Sequence, residues 1–374
     1  MKGFYFAQIN PDDNKLGAVK KVHDQVEAFS KSGFDIELEC EPPINNGLRS
    51  SFFGKGLLAS VPFLPVFSKY KHKQEYLCSD FYYFRFLAAD YHFIRFLRWL
   101  KKNNGGAKVF VEFPTYPTTH WMKSVFHIPL IIKDVVARRK YKGLVDWFVV
   151  TRSDLKELYG VPVIPLKNGI DVDRIPIRTP SINPDNEIHV IGVATMFPFH
   201  GYDRFLKGMG RYYNSSKSKK RIVLHLVGQG PGKELPRYKQ IALREHIEPF
   251  VIFEGEKQGE ELDSIFNKCS LALCSLGMFR HGLDMASSLK TREYLARGIP
   301  LVSGCAIDVL EGTDFAYELR FRNDESIIDI NEVVNFYERV YQDKSENEVI
   351  MEIREFAREH CDVSALMKCV FDCI

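Results

Sequence analysis

The sequence predicts an α/β protein built from two doubly wound domains, and three observations carry that prediction. The chain opens on a strand–helix–strand unit. Strand-like and helix-like patterns then alternate along most of its length. One proline-rich stretch, Arg174–Asn186, interrupts the alternation, which restarts after it as a second series. Units of this kind build parallel sheets with helices on both faces.

In the opening unit, Phe4–Ile9 is a short apolar run and Asn10–Gly17 a loop. Val19, Val22, Val26 and Phe29 recur at helical spacing up to a stop at Gly33, and Asp35–Cys40 alternates as a strand does. Further strands are predicted at Phe81–Phe84, Val109–Glu112, Trp147–Thr151 and Val163–Leu166, with helices at Tyr91–Lys101, Pro129–Tyr141 and Ser153–Tyr159. Beyond the linker, strands are predicted at His189–Ala194, Ile222–Val227, Val251–Phe253, Leu271–Ser275 and Ile299–Ser303. Helices are predicted at Tyr202–Tyr213, Lys233–Glu245, Glu260–Lys268 and Lys290–Ala296, and the tail from Ile327 to Ile374 reads as helices only. Two such domains would face a cleft, with ligands bound beyond the carboxyl ends of the strands.

Composition narrows the function. The chain has 374 residues, 45% hydrophobic and 26% charged, enough for two separate cores. Its 51 basic and 48 acidic residues leave +3, too even a balance for a dedicated nucleic-acid binder. The opening MKGFYFAQINPDD holds an apolar run too short for a signal-peptide core. No run of about 18 apolar residues predicts a transmembrane helix. The eight cysteines form no CxxC pair, so reduced thiols in a cytoplasmic setting are expected, and no zinc.

The most informative stretch runs from Ser287 to Val302. Ser287 and Ser288 open a helix, Gly298 closes it and an apolar strand follows. Free N–H groups at such a helix start favour an anion such as a diphosphate, and Lys290 adds a charge in the first turn. Glu293 lies one turn on and can accept two hydrogen bonds from a ribose diol. The bland alternative is a capped surface helix whose Lys290 and Glu293 pair with each other. Val227–Gly232 (VGQGPG) sits between a strand and a helix, its glycines suited to close backbone approach to a ligand, without the GxGxxG spacing of a dinucleotide site. Lys167–Asp171 (KNGID) carries an Asn168-Gly169 turn signal.

Taken in order, these segments resemble the retaining glycosyltransferases of family 4, which have the GT-B fold. The matching pieces are the Gly17 loop, KNGID at 167–171, GVATMFPFHGYDRFL at 192–206, LHLVGQGPG at 224–232, VIFEG at 251–255 and SLKTREYLARGIPLV at 288–302. EFPTYP at 112–117 is similar to a bacterial branch that assembles capsule and other surface polysaccharides. The resemblance implies an acceptor-binding domain over 1–175 and a nucleotide-sugar-binding domain over 187–355. A helical tail over 356–374 would return to the N-terminal domain. It implies transfer of a hexosyl or N-acetylhexosaminyl group from a nucleoside-diphosphate sugar to a saccharide or polyprenyl-diphosphate-linked acceptor, with retention and no metal. The donor residues it implies are Gly17, His200, Gly228, Gly230, Glu256, Ser288, Leu289, Lys290 and Glu293, with Lys290, Arg280 and His120 as the catalytic candidates.

The chain departs from the family's pattern in three places. The family has two glutamates separated by seven residues; Glu293 matches the later one, but the earlier falls on Met285, with Asp284 one position off. The arginine and lysine that grip the diphosphate correspond to Thr195 and His200. Lys290 and Arg280 are the nearest replacements in sequence, and a protonated His200 is a third. These gaps keep open a catalytically silent subunit that binds a partner; a sugar-nucleotide epimerase of the same fold is the other alternative. On the acceptor side, the apolar Phe52–Phe67 precedes Lys69, Lys71, His72 and Lys73. Downstream, Arg85, Arg95, Arg98, Lys101 and Lys102 interleave with aromatics. Peripheral contact with the anionic inner face of the cell membrane is expected there.

Overall fold

The computed structural model describes residues 1–9, 17–40, 70–85, 89–114, 116, 128–151, 154–180, 187–215, 220–230 and 232–374. They form two compact units, Met1–Gly169 with Val363–Ile374, and Ile170–Asp362.

The first unit is a sheet of β1 (Lys2–Ala7), β2 (Asp35–Cys40), β3 (Phe81–Arg85), β4 (Lys108–Phe113), β5 (Trp147–Val150), β6 (Glu157–Leu158) and β7 (Val161–Pro165). Its order is β2-β1-β3-β4-β5-β7-β6, parallel except for β6, which pairs antiparallel with β7. Side chains alternate across it as the two-residue period requires. Phe4, Phe6, Tyr82, Phe84, Val109 and Val111 pack on one face under α2 (Tyr91–Asn103) and α3 (Ile128–Arg138). Tyr5, Ala7, Phe81, Tyr83 and Phe110 pack on the other under α1 (Gly17–Lys31) and the last helix, Val363–Phe371. Phe6 stacks on Phe84 with ring centroids 4.7 Å apart. Burying each such phenylalanine contributes about 1.5–3 kcal/mol. Of the predicted helix Ser153–Tyr159, the described residues 154–159 hold a turn, β6 and the start of a tight reversal. Tyr159 and Gly160 both have positive φ, 50° and 77°, which turns the chain directly into β7.

The second unit is a sheet of β8 (Ile188–Val193), β9 (Ile222–Val227), β10 (Val251–Gly255), β11 (Leu271–Leu273), β13 (Leu301–Ser303) and β15 (Glu318–Arg320), with β12 (Met285–Ala286) and β14 (Ala306–Ile307) paired apart from it. All the pairs in the larger sheet are parallel, in the order β10-β9-β8-β11-β13-β15. Counted along the unit, that is 3-2-1-4-5-6, so the direction of winding reverses between β8 and β11. The helices are α4 (Tyr202–Asn214), α5 (Glu234–Arg244), α6 (Gly259–Phe266), α7 (Leu289–Arg297), α8 (Ile330–Val340) and α9 (Glu346–His360). A Ser345/Glu348 capping box starts α9.

The stretch read as a linker packs into this unit as far as it is described. Ile175 and Arg178 are buried, and Arg178 donates to Glu346, to the Gly298 carbonyl and to the Tyr341 hydroxyl. The described part of the stretch is therefore packed chain rather than a loose tether. All eight cysteines are free thiols. No helix among the described residues is long and apolar enough to cross a membrane.

Candidate functional site

Ligands in open parallel sheets bind beyond the carboxyl ends of the strands, where the strand order reverses. In the second unit that place is the end of β8 and β11, and the two loops that leave these strands are joined by their backbones. The N–H of Leu276 donates to the His200 carbonyl at 2.8 Å, and that of Gly277 to the Phe199 carbonyl at 3.1 Å. Glycine is required for this contact: Gly201 has φ +64°, and a Cβ there would stand 2.6 Å from the Gly277 nitrogen. The contact brings the His200 ring beside Ser275, with Nδ1 3.3 Å from Oγ.

Lys290 enters from the first turn of α7. Its Nζ lies 2.9 Å from His200 Nδ1 and 3.2 Å from the Tyr202 hydroxyl, 5.4 Å above the Tyr202 ring. It makes no ion pair with Glu293 or with any other described carboxylate. Burial therefore acts on it unopposed by a carboxylate and lowers its pKa to about 8. Burial and the adjacent ammonium hold His200 down at about 2, against a backbone hydrogen bond to Thr195 that raises it. His200 is thus neutral, and the expectation of a protonated His200 is corrected. Its unprotonated Nδ1 is an acceptor that positions Lys290.

The start of α7 differs from the expected cap. Ser288 occupies the N-cap position, but its hydroxyl faces Thr291 Oγ1 at 3.4 Å and makes no capping bond to the backbone. The turn is held instead by buried Arg292, which donates to the Ser288 carbonyl at 3.2 Å and to both oxygens of Asp308 at 2.6 and 2.7 Å. Leu289 packs against the unit's core. Glu293 is partly buried one turn beyond Lys290.

Arg280 is corrected from anion ligand to structural clamp. Its five N–H groups are committed to Asp203 (2.8 and 3.0 Å), Glu325 (2.9 and 2.6 Å) and the Pro198 carbonyl (2.8 Å), so no donor is left for a phosphate. It fixes the loop that carries His200. The glycines at 228 and 230 also have a different partner from the one expected. A Cβ on Gly228 (φ +116°) would stand 2.1 Å from the Ala194 carbonyl, and one on Gly230 2.5 Å from that of Met196, so their close approach is to the loop after β8. Glu256 is exposed just past β10. Met285 is exposed, and the Asp284 carboxylate accepts from Asn323 at 3.2 Å. Gly17 is the first residue of α1; the loop before it and His120 lie outside the described residues.

Sequence reasoning missed Tyr202 and Ser275, whose roles rest on contacts and on no motif. It also gave Glu112 no role beyond closing a predicted strand. Glu112 is buried at the end of β4 and accepts from Lys21 Nζ (2.9 Å), Gln25 Nε2 (3.0 Å), Tyr83 Oη (2.8 Å) and Arg85 Nε (3.2 Å). Burial pushes its carboxyl up, but Lys21 and Arg85 outweigh that and hold it at about 2. Lys21 also donates to Asn168 of the KNGID segment at 2.7 Å. Among the described residues no group of three or more His, Cys, Asp or Glu side chains is arranged to hold a metal.

No family model matches the sequence, and no curated relative does. Solved structures do match over the full length. HepE of Anabaena in complex with UDP aligns over 100% of this chain and 99% of its own, with TM-score 0.60 and 11% identity. Sucrose-phosphate synthase of Thermosynechococcus elongatus covers 100% and 98%, with TM-score 0.62 and 13% identity. The lipopolysaccharide outer core galactosyltransferase WaaB covers 100% of both, with TM-score 0.58 and 13% identity. The chain has the GT-B fold. Within it, Lys290 occupies the switch point of the second unit.

Proposed function

We propose that the chain transfers a sugar from a nucleoside-diphosphate sugar to an acceptor hydroxyl, with the donor held by the second unit. The observation that carries this reading is Lys290, an ammonium at the switch point with only neutral partners at 2.9 and 3.2 Å. The resemblance leaves a cation missing at His200; Lys290 stands against that same ring and supplies the charge from a different element. A departing diphosphate accumulates negative charge, and a fixed cation aimed there stabilises the transition state more than the ground state. The start of α7 adds its N–H groups to the same anion. Glu293 binds the nucleotide ribose, and Glu256 lies by the base. In the reaction the bond from the anomeric carbon to the diphosphate oxygen breaks, one to the acceptor oxygen forms, and the acceptor hydroxyl's proton passes to the departing diphosphate.

Retention, a lipid-linked saccharide acceptor and a role in surface polysaccharide assembly follow from the family 4 resemblance. A WaaB structure among the matches, that of a lipopolysaccharide galactosyltransferase, is in keeping with them. HepE has been solved with UDP and with UDP-glucose, so UDP is the first nucleotide to try. Thermal stabilisation by UDP, GDP, TDP and CMP, followed by a transfer assay with the matching sugar nucleotide, tests the reading. Stabilisation by none of them sinks it. Met285, exposed where the family has a glutamate, favours a second reading as a silent subunit; nucleotide binding without transfer or donor hydrolysis would select that one.

A further inference from the structure

A second surface, on the first unit, has no part in donor chemistry. Helices α2 and α3 cover the same face of the sheet: Phe93, Phe96 and Leu97 of α2 share one core with Ala137 of α3 and with Phe84 and Val111 beneath them. Their opposite sides therefore face outward together. On α3 that side is aliphatic. Ile128, Ile132, Val135 and Val136 are 51%, 57%, 42% and 56% exposed and recur at the spacing of a single helical stripe. On α2 the outward side carries exposed Arg95, Arg98 and Lys102, and exposed Arg139 and Lys140 follow the end of α3. None of these five cations pairs with a described carboxylate. Neither helix presents an acid outward, because the one acidic residue in them, Asp134, is buried against Arg138 at 2.5 Å.

We propose that this face docks on an anionic lipid bilayer, with the α3 aliphatic stripe in the headgroup–acyl boundary and the five cations against the headgroups. A contiguous apolar stripe left in water calls for a covering partner. A second copy of the chain is the poorer fit, because a two-fold contact would set five cations against five. An acidic surface that also accepts aliphatic side chains is what a phosphatidylglycerol-rich leaflet offers. Helix α3 has 11 residues and would lie in the plane of the interface. The expected contact segment, Phe52–Lys73, falls mostly outside the described residues. Of the aromatics that interleave with the basic residues, Phe84, Phe93 and Phe96 are core, so the attachment assigned here rests on aliphatic side chains. This inference stands apart from the transfer reading.

The test is co-sedimentation of the full chain with phosphatidylcholine vesicles, with and without phosphatidylglycerol. The protein should pellet only with the anionic vesicles, and less at high salt. Replacing Arg95, Arg98 and Lys102 by Gln should lower partitioning about a hundredfold, at roughly fivefold per charge. The set Ile132→Ser, Val135→Ser and Val136→Ser should also abolish pelleting. Both sets should keep the wild-type melting temperature and UDP response, which separates failure here from failure of the donor site. A reporter, Ile132→Trp, should shift its emission to the blue on anionic vesicles. Wild-type protein left in the supernatant, pelleting without anionic lipid, either variant set binding like wild type, or an unshifted reporter each overturns the proposal. So does an RNA or a self-dimer taken up by this face in place of vesicles.

Discussion

Replacing Lys290 by Met should make the empty protein more stable and its nucleotide complex weaker. Moving a lysine pKa from 10.5 to about 8 costs the folded state about 3 kcal/mol at neutral pH, and partial exposure trims that to about 2 kcal/mol. Methionine fills a similar volume without the charge, so Lys290→Met should gain about 2 kcal/mol in denaturant melts. The sign with pH follows. Between pH 8 and 10.5 the unfolded lysine holds a proton that the folded one has released, so wild-type stability should rise across that window. The variant should not show the rise. A bound diphosphate reverses the balance, because it returns a charge partner to the ammonium. UDP should therefore bind the variant roughly ten- to a hundredfold more weakly, the loss of one charged hydrogen bond. A variant no more stable than wild type, with an unchanged UDP response, would refute the reasoning.

Three further outcomes are expected. Glu293→Gln should weaken nucleotide binding by about 1.5–3 kcal/mol, seen by calorimetry, with turnover at saturation little changed, because ribose contacts are alike in ground and transition states. On the proposed clamp of Lys290 and the start of α7, transfer should survive EDTA; complete loss restored by Mg²⁺ or Mn²⁺ would contradict this. Glu112→Leu should destabilise the protein by about 3–5 kcal/mol in urea melts, because it leaves Lys21 and Arg85 buried without their carboxylate. The stabilisation due to the wild-type carboxyl is full above its ordinary pKa of 4.5 and should be lost as pH falls through about 2.

Much of the fold was legible because its strands bury both faces or alternate cleanly. Asp35–Cys40 alternates polar and apolar residues, and Ile222–Val227 is a mostly apolar run buried at every position. The failures have local causes. Ser153–Tyr159 contains helix-forming residues, but Glu157–Leu158 pairs with β7 through a reversal whose signal is Gly160, while the positive φ of Tyr159 leaves no trace in propensity. Strands β12, β14 and β15 are too short to show a period. The Ser288–Glu293 helix start was legible as a turn of chemistry. Its environment was not, since His200 and Lys290 are 90 residues apart in the chain and meet only because Gly201 and Gly277 let two loops touch.

Three buried or half-buried cations that sequence could not rank are ranked by their partners. Lys21 is matched by Glu112 at 2.9 Å, and with Arg85 on the same carboxylate the cluster needs no outside ligand. Arg280 is matched by Asp203 and Glu325, which raise its pKa further above an ordinary arginine's. Both arrangements are complete, and both are explained by holding loops in place. Lys290 alone of the three keeps neutral company, and its lowered pKa is the measure of that incompleteness. A buried ammonium without a carboxylate is a cost that folding does not require, since Met or Leu would pack the same space. The cost has a use if an anion completes the site during the working cycle. A diphosphate beside α7 would do so, and it would explain why the lysine stands against His200.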